Sequence, residues 1–398
     1  MSIETLYCLA ALIPMLILPV MLPSVVLMAV RKRMTDAPNE RKLQEQPVVV
    51  MGGTVVIVVM CIALVIINLF YPITEFFAGL CVMVILYVIG LLDDTIGMPW
   101  YIKLVVQTGA ILLLFFGGDN AVHSLFGLFV DGPLPEWLSC LLTVFIGLIL
   151  LNAVNFIDGI DGLSSSLAVL SGLVMAFWSI RHGFVSYALF SFIFSGSLLS
   201  FFFFNVFSKK YKMYLGDSGS MLIGLFVFIT VCPAPLNTIT FDFLADRYFV
   251  SFTLALFSAM IFDMVRVVIS RIIRGKSPFL PDRLHLHHIY VDHGMSHLVA
   301  TLVILSSNGL TILLWYLTAA SGINIELQFF AVILSGIIVY WLPYYFINRG
   351  KIKNPQSYDR HTEMWERVSQ FFVPMSDYIS GVLDNLKFFR LPHSNRKP

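Results

Sequence analysis

The densest set of oxygen-bearing side chains in the sequence is Asn152-Ala-Val-Asn155-Phe-Ile-Asp158-Gly-Ile-Asp161-Gly162. Asn155, Asp158 and Asp161 recur every three residues, which predicts polar groups along one side of a helical turn. Gly159 and Gly162 permit close backbone approach or a break in that helix. Hard oxygen ligands of this kind suit magnesium or manganese, not zinc. A polar contact between helices is the plainer alternative. A second acidic pair, Asp93-Asp94, closes an apolar run just after Gly90. Adjacent helical positions point about 100° apart, so the two carboxylates serve different partners. One faces a metal while the other accepts a proton or pairs with Lys103; a hydrated helix end is the alternative.

Two further segments are suited to phosphate. Tyr214-Leu-Gly-Asp217-Ser-Gly-Ser220 follows the basic stretch Lys209-Lys210-Tyr211-Lys212 and opens an apolar run. A Gly/Ser turn at a helix amino terminus presents free N–H groups to a phosphate, and Asp217 can hold the cation that bridges it. A tight turn capped by Asp is the bland reading. Between Arg274 and His288 lie Lys276, Arg283, His285 and His287, six groups able to pair with phosphates or neutralise a leaving group. Zinc is disfavoured because no HExxH occurs in the chain; a basic loop against anionic lipid headgroups is the alternative. Asp36-Ala-Pro-Asn-Glu-Arg41-Lys42, ahead of Gly52-Gly53, is also basic, although an anchor for the first apolar run explains it alone.

The elements that must position these groups are apolar. Of 398 residues, 58% are hydrophobic and 12% charged, about half the charge of a soluble domain. Mean hydropathy is +0.86. A soluble domain and a disordered chain are both excluded, and a formal charge of +1 gives no nucleic-acid footprint. Cys8, Cys61, Cys81, Cys140 and Cys232 sit in apolar runs without a CxxC pair, so they read as buried thiols outside any disulfide framework.

A membrane helix needs about 20 apolar residues. Runs of that size cover 5–30, 48–70, 76–92, 103–118, 137–156, 163–180, 184–206, 219–236, 249–268, 298–318 and 328–347, which predicts an all-α protein with about eleven transmembrane helices. Placing the segment after the first span in the cytoplasm puts 23 of the 25 Lys and Arg on that side, leaving Arg181 and Arg247 opposite. The amino terminus is then outside and the carboxyl terminus inside. The candidate carboxylates fall on the same cytoplasmic side, as an anionic substrate handled through a divalent cation would require. A cation-coupled transporter with a cytoplasmic anion site is a rival. Transporters, however, usually hold their carboxylates near the midplane and show repeat symmetry, which this sequence lacks. An intramembrane metalloprotease lacks its HExxH, and a CDP-alcohol phosphotransferase its DGxxAR.

Taken in order, these elements resemble the polyprenyl-phosphate N-acetylhexosamine-1-phosphate transferases. The matching motifs are Asp36-x-Pro-x-x-Arg41-Lys42, Asp93-Asp94 with Lys103-x-x-x-Gln107, Asn152-x-x-Asn155-x-x-Asp158-Gly-x-Asp161-Gly, Gly216-Asp217-x-Gly219-Ser220 and His285-x-His287-His288. The resemblance spans about residues 30–300. Pro278-Phe-Leu-Pro-Asp282-Arg283 is similar to the branch acting on N-acetylglucosamine. The MurNAc-pentapeptide branch, the alternative within the family, usually carries three successive histidines, which Leu286 interrupts here. Gln44 departs from a histidine common at that position.

The resemblance implies an eleven-helix protein of the bacterial inner membrane with a cytoplasmic active site. It implies transfer of N-acetylhexosamine 1-phosphate from a UDP-sugar to undecaprenyl or another polyprenyl phosphate, releasing UMP and initiating a cell-envelope polysaccharide. Magnesium is the implied cofactor, with manganese able to replace it, and homodimers are common among such relatives. By the same resemblance Asn155 and Asp217 match metal ligands. Asp93, Asp94, Lys103 and Asp158 match the catalytic set. Arg41, Lys42, Asp161, Tyr214, Arg283, His285, His287 and His288 match the substrate-binding residues. Two units are expected: a membrane domain over 1–347 and a cytoplasmic amphipathic tail over 348–398, lying on the membrane surface or packed on the cytoplasmic loops.

Overall fold

The computed structural model describes residues 2–32, 35–36, 48–73, 77–118, 120–232, 244–278, 282–353 and 355–386. In chain order the elements are α1 (Ile3–Arg31), β1 (Thr35–Asp36), β2 (Val48–Val50), α2 (Gly52–Asn68), α3 (Phe77–Ile96), α4 (Trp100–Gly118), α5 (Glu136–Ile157), α6 (Leu163–Arg181) and α7 (Val185–Phe207). They continue with β3 (Met213–Tyr214), α8 (Gly216–Val231), α9 (Leu244–Arg247), α10 (Phe249–Leu256), α11 (Ser258–Ile273) and α12 (Leu286–Asp292). The last four are α13 (His297–Ala320), α14 (Ile325–Lys353), α15 (Pro355–Phe371) and α16 (Val373–Asp384).

The protein is an all-α, polytopic membrane protein. Among the described residues the eleven apolar runs fall on helices, run 249–268 on two of them, but the lengths differ from expectation. Among the described residues eight helices are long and apolar enough to cross a membrane: α1, α3, α4, α5, α6, α7, α13 and α14. Helices α10 and α11 meet at 77° and make a ninth span only if the bent pair is taken as one. At 17 and 16 residues, α2 and α8 are only about 25 Å long. Helix α1 keeps its course through Pro14, Pro19 and Pro23, as membrane helices allow when neighbours cover the freed carbonyls.

Helix α8 forms the centre. Every residue from Ser218 to Thr230 is buried, and α2, α3, α5 and α6 pack around it. Phe226 of α8 stacks on Phe194 of α7 with ring centroids 3.7 Å apart. A short sheet ties one end of this centre together. In it β2 pairs antiparallel with β1 and parallel with β3, with Val50 opposite Tyr214.

The break between α10 and α11 frees backbone groups inside the bundle, and Asn308 of α13 meets them. Its Oδ1 accepts from Ala259 N at 3.0 Å and Ser258 Oγ at 2.9 Å, and its Nδ2 donates to Leu256 O at 3.1 Å. All five cysteines are free thiols. Burial was expected of them, yet only Cys232 is fully buried, and Cys8, Cys61 and Cys81 are exposed on outward helix faces. Helix α14 runs through the expected boundary at residue 347 as far as Lys353. Beyond it, α15 and α16 fold back onto α13, α14 and α7.

Candidate functional site

The site is built around the amino terminus of α8. Gly90 of α3 lies against Ser218 so closely that a Cβ there would overlap the Ser218 backbone. Asp94 follows one turn later on the same face. Its carboxylate accepts from Asp217 N at 2.7 Å, Ser218 N at 3.1 Å and Ser218 Oγ at 2.9 Å. The sequence suggested that these N–H groups stand free for phosphate, but they are capped by Asp94 instead. From the other side, Gly53 N of α2 donates to Leu215 O at 2.8 Å. A side chain at Gly53 would collide with Ser218 and Gly219. Gly216, at φ +76°, opens α8 with no room for a Cβ beside Asp94.

Asp217 faces the charged groups. Its Oδ2 accepts from Lys103 Nζ at 2.7 Å and its Oδ1 from Asn155 Nδ2 at 2.7 Å. Lys103 also pairs with Asp93, whose Oδ1 accepts from Met98 N at 2.6 Å. The neighbouring carboxylates thus do take different partners: Asp93 pairs with Lys103, and Asp94 caps α8. Asn152, a turn before Asn155, donates to Gln107 Oε1 at 3.0 Å and so fixes α5 against α4.

The three-residue rhythm of Asn155, Asp158 and Asp161 ends differently from expectation. Helix α5 stops at Ile157, and Asp158 is its cap. Residues 158–162 form a turn that Gly162, at φ +81°, closes ahead of α6. The three side chains still converge on one cavity, through a helix end and a turn rather than along one helix. Asp158 Oδ1 accepts from Ser164 Oγ at 2.5 Å, and burial pushes its carboxyl up to about 7. Burial also pushes Asp161 upward, but His297 and Lys212 outweigh it and hold that carboxyl below the usual range. Lys212 Nζ donates to Asp161 Oδ2 at 2.6 Å, and His297 Nδ1 pairs with the same oxygen at 2.8 Å. Asp161 Oδ1 has no partner among the described residues.

The cavity holds about 450 Å³ and is lined by Asp94, Asn155, Asp158, Asp161, Tyr214, Asp217 and His288, along with others that include Asn205 and His297. Seven sequence-predicted residues therefore meet there, with Asp93 and Lys103 immediately behind. His287 and His285 stand away from its lining. The buried His287 ring packs against Gly159, where a Cβ would overlap it. His285 Nδ1 pairs with Asp263 Oδ2 at 2.8 Å, and Arg266 Nη2 donates to Asp263 Oδ1 at 2.6 Å. Burial lowers the pKa of His287, and it lowers that of His288 to about 4 with help from His285 and Arg283. Both rings are therefore neutral at pH 7. Arg283 lies outside the lining and pairs with the half-exposed Asp292 at 2.6 Å. Arg41 and Lys42 lie outside the described residues.

Several site residues were not singled out from the sequence. His297 pairs with a carboxylate 136 positions away, and its only local signal is its place just after the Ser296 cap of α13. Asn205 accepts from Gly162 N at 2.7 Å and donates to Met213 O at 2.8 Å, joining the turn after α5 to β3. Arg271 grips Asp282 with two nitrogens at 2.8 and 3.1 Å and so anchors the loop that leads to the histidines.

A divalent cation is compatible with these donors. Asp217 and Asn155 offer carboxylate and amide oxygens beside Asp94 and Asp158, and all four line one cavity. Among the described residues no cluster of three or more His, Cys, Asp or Glu is gathered tightly enough to form a closed cage. Such sparse oxygen donation suits magnesium, which keeps waters and takes substrate phosphates as ligands. It does not suit a structural metal.

A bundle of apolar helices with a cavity lined by four carboxylates and two histidines, where Lys103 and Lys212 each pair with one of those carboxylates, has the charges to handle phosphates beside a membrane. Residues 76–233 match the family model for glycosyl transferase family 4, a segment that contains all the carboxylates lining the cavity. The chain is 26% identical to a probable undecaprenyl-phosphate N-acetylglucosaminyl 1-phosphate transferase of Bacillus subtilis, over 74% of this chain and 80% of that protein. It is 28% identical to the undecaprenyl-phosphate alpha-N-acetylglucosaminyl 1-phosphate transferase of Escherichia coli K12, over 66% and 70%. It is 29% identical to the decaprenyl-phosphate N-acetylglucosaminephosphotransferase of Mycolicibacterium smegmatis, over 70% and 73%. The chain is therefore similar, over about two thirds or more of its length, to the polyprenyl-phosphate transferases that its motifs resemble.

Proposed function

We propose that this protein transfers N-acetylglucosamine 1-phosphate from a UDP-sugar to a polyprenyl phosphate at the cytoplasmic face of a bacterial inner membrane, initiating a cell-envelope polysaccharide. The observation that carries this reading is the cavity itself. Four carboxylates line it with His288 and His297, while Lys103 and Lys212 each reach one of those carboxylates. The relatives' names supply the sugar and the lipid class.

Two anions must meet in this reaction. An oxygen of the polyprenyl phosphate attacks the sugar-linked phosphorus of the UDP-sugar. The bond from that phosphorus to the oxygen bridging the two phosphates breaks, and UMP leaves with that oxygen. The sugar C1–O bond is untouched, so anomeric configuration persists. Lys103, paired with Asp217, offsets repulsion between the phosphates as they approach, and Lys212, paired with Asp161, adds positive charge where the donor binds. Asp217 and Asn155 would hold magnesium, which supplies charge compensation on phosphoryl oxygens. Asp161 presents its free Oδ1 as an acceptor for a donor group of the nucleotide, and Tyr214 offers a ring for the uracil. Asp93 holds Lys103 and Asp94 holds the amino terminus of α8, so that the Lys103 charge faces the acceptor phosphate, which at neutral pH has already lost most of its second proton. Neutral His288, which lines the cavity, is able to donate a hydrogen bond without adding charge.

The test is direct. The purified full chain in lipid nanodiscs, given UDP-GlcNAc, polyprenyl phosphate and Mg²⁺, should release UMP and form a lipid-linked sugar phosphate. Absence of UMP with every UDP-N-acetylhexosamine tried would overturn the proposal. Competition between UDP-sugars in the same assay reads the donor preference.

A further inference from the structure

The segment leaving α7 brings Lys212 to Asp161 and Tyr214 to the cavity lining, yet its turn is held by the carboxyl-terminal helix. Asp384, the last residue of α16, accepts from Ser208 Oγ at 2.6 Å, Lys209 N at 3.2 Å and Lys210 N at 3.3 Å. Ser380 Oγ of the same helix donates to it at 3.2 Å. Ser208 Oγ in turn accepts from Tyr211 N at 2.8 Å. Successive backbone N–H groups thus form a small anion-binding concavity, filled here by one carboxylate of the carboxyl-terminal helix. Two residues past Lys210, Lys212 reaches Asp161 at 2.6 Å, and Met213 is tied to Asn205.

Helix α16 itself draws no advantage from this acid. A carboxylate at a helix carboxyl terminus stands at the negative end of the dipole. The neighbouring ion pair, Lys209 with Asp377 at 2.8 Å, is exposed on both sides and contributes little. What Asp384 does is organise the turn ahead of Lys212, which grips Asp161 of the cavity, and of Tyr214, which lines it.

We propose that Asp384 is a positioning residue for the donor half of the site: docking of α16 sets Lys212 and Tyr214 in place for the nucleotide. This rests on the reading of the cavity as a UDP-sugar site. Among the described residues, the hydrogen bonds and ion pairs of Asp93 and Lys103 in the opposite half run to Met98, Asp217 and each other, not to α16. Loss of the carboxylate therefore weakens donor binding and leaves the chemical step largely intact.

Asp384→Ala, Asp384→Asn and Asp377→Ala in the full chain, held in nanodiscs, test the proposal with two readouts. Amide hydrogen exchange over 208–215 should quicken about tenfold in Asp384→Ala. It should quicken less in Asp384→Asn, which keeps one acceptor oxygen, and not at all in Asp377→Ala. KM for UDP-GlcNAc should rise about fivefold or more in Asp384→Ala, with kcat within about twofold and KM for the polyprenyl phosphate unchanged. Unaltered exchange overturns the proposal, and so does faster exchange with unaltered donor KM. Should Asp384→Ala not fold, Asp384→Asn decides by the same criteria. A wild-type protein that releases no UMP defeats the functional reading instead, while exchange over 208–215 still reports whether Asp384 holds the turn.

Discussion

Asp94 caps α8 across a helix–helix contact: its carboxylate takes Asp217 N and both the N–H and hydroxyl of Ser218. The contact is possible because Gly90, one turn earlier, lets the α3 backbone meet Ser218. Two consequences separate steric from chemical roles. Gly90→Ala should abolish activity, because the added methyl has to push α8 away from Asp94. Gly109→Ala in α4, where nothing lies within 4 Å of the new methyl, should keep activity and gain about 0.5–1 kcal/mol in helix preference. Thermal midpoints and UMP release on the two variants check both statements. Equal activity in the two would refute the close-approach argument.

Lys103 links Asp93 to Asp217. Its charge sits 2.7 Å from the carboxylate proposed to bind magnesium, so the lysine and the cation repel one another. Lys103→Met is expected to lower the magnesium concentration for half-maximal binding by about tenfold. Turnover should fall at least about a hundredfold, because the acceptor phosphate loses its counter-charge. Isothermal titration with Mg²⁺ alone reads the first effect, and UMP release at saturating Mg²⁺ reads the second. Weaker magnesium binding in the variant would contradict the placement of the ion at Asp217.

The positions of the apolar helices were legible, though not the number of spans, because length and hydropathy of a run are local properties. The break between α10 and α11 was not: it depends on Asn308, supplied by another helix. Convergence of Asn155, Asp158 and Asp161 was readable from spacing. The route differed, since a helix end and the left-handed Gly162 replace a continuous turn. The cap on α8 was hidden for a similar reason. Asp94 and Ser218 are 124 positions apart, and no local pattern links them. His297 was invisible as a site residue because its partner, Asp161, is equally remote in sequence.

His288 gives a pH dependence of defined sign. Burial lowers its folded-state pKa to about 4, below the ordinary 6.5. Between these values the unfolded chain binds a proton that the folded protein refuses. Stability is therefore intact above about 6.5 and declines as pH falls toward 4, by up to about 1.4 kcal/mol per pH unit for one such group. The buried His287 adds to the slope in the same direction. His288→Gln should flatten the decline of the thermal midpoint between pH 6.5 and 4.5 without abolishing it. A variant with the wild-type slope would show that His288 is protonated in the folded protein.

Asn308 is fully buried and meets both sides of the break in the bent span, accepting from Ala259 N and donating to Leu256 O. Replacing it with leucine keeps the branched outline of the side chain and removes both functions. Ala259 N and Leu256 O then lose these partners in an apolar interior without water, at a cost of about 1–3 kcal/mol for each group left unsatisfied. Asn308→Leu should therefore lower the thermal midpoint in detergent by several degrees. Asn308→Asp, which keeps the acceptor for Ala259 N but loses the donor to Leu256 O and introduces a buried charge, should be no better tolerated. Because Asn308 hydrogen-bonds to Leu256, Ser258 and Ala259, none of which lines the cavity, donor KM in Asn308→Leu should stay at the wild-type value at temperatures where the protein is folded. A midpoint equal to wild type would mean that the freed backbone groups find other partners and that the bend does not depend on Asn308.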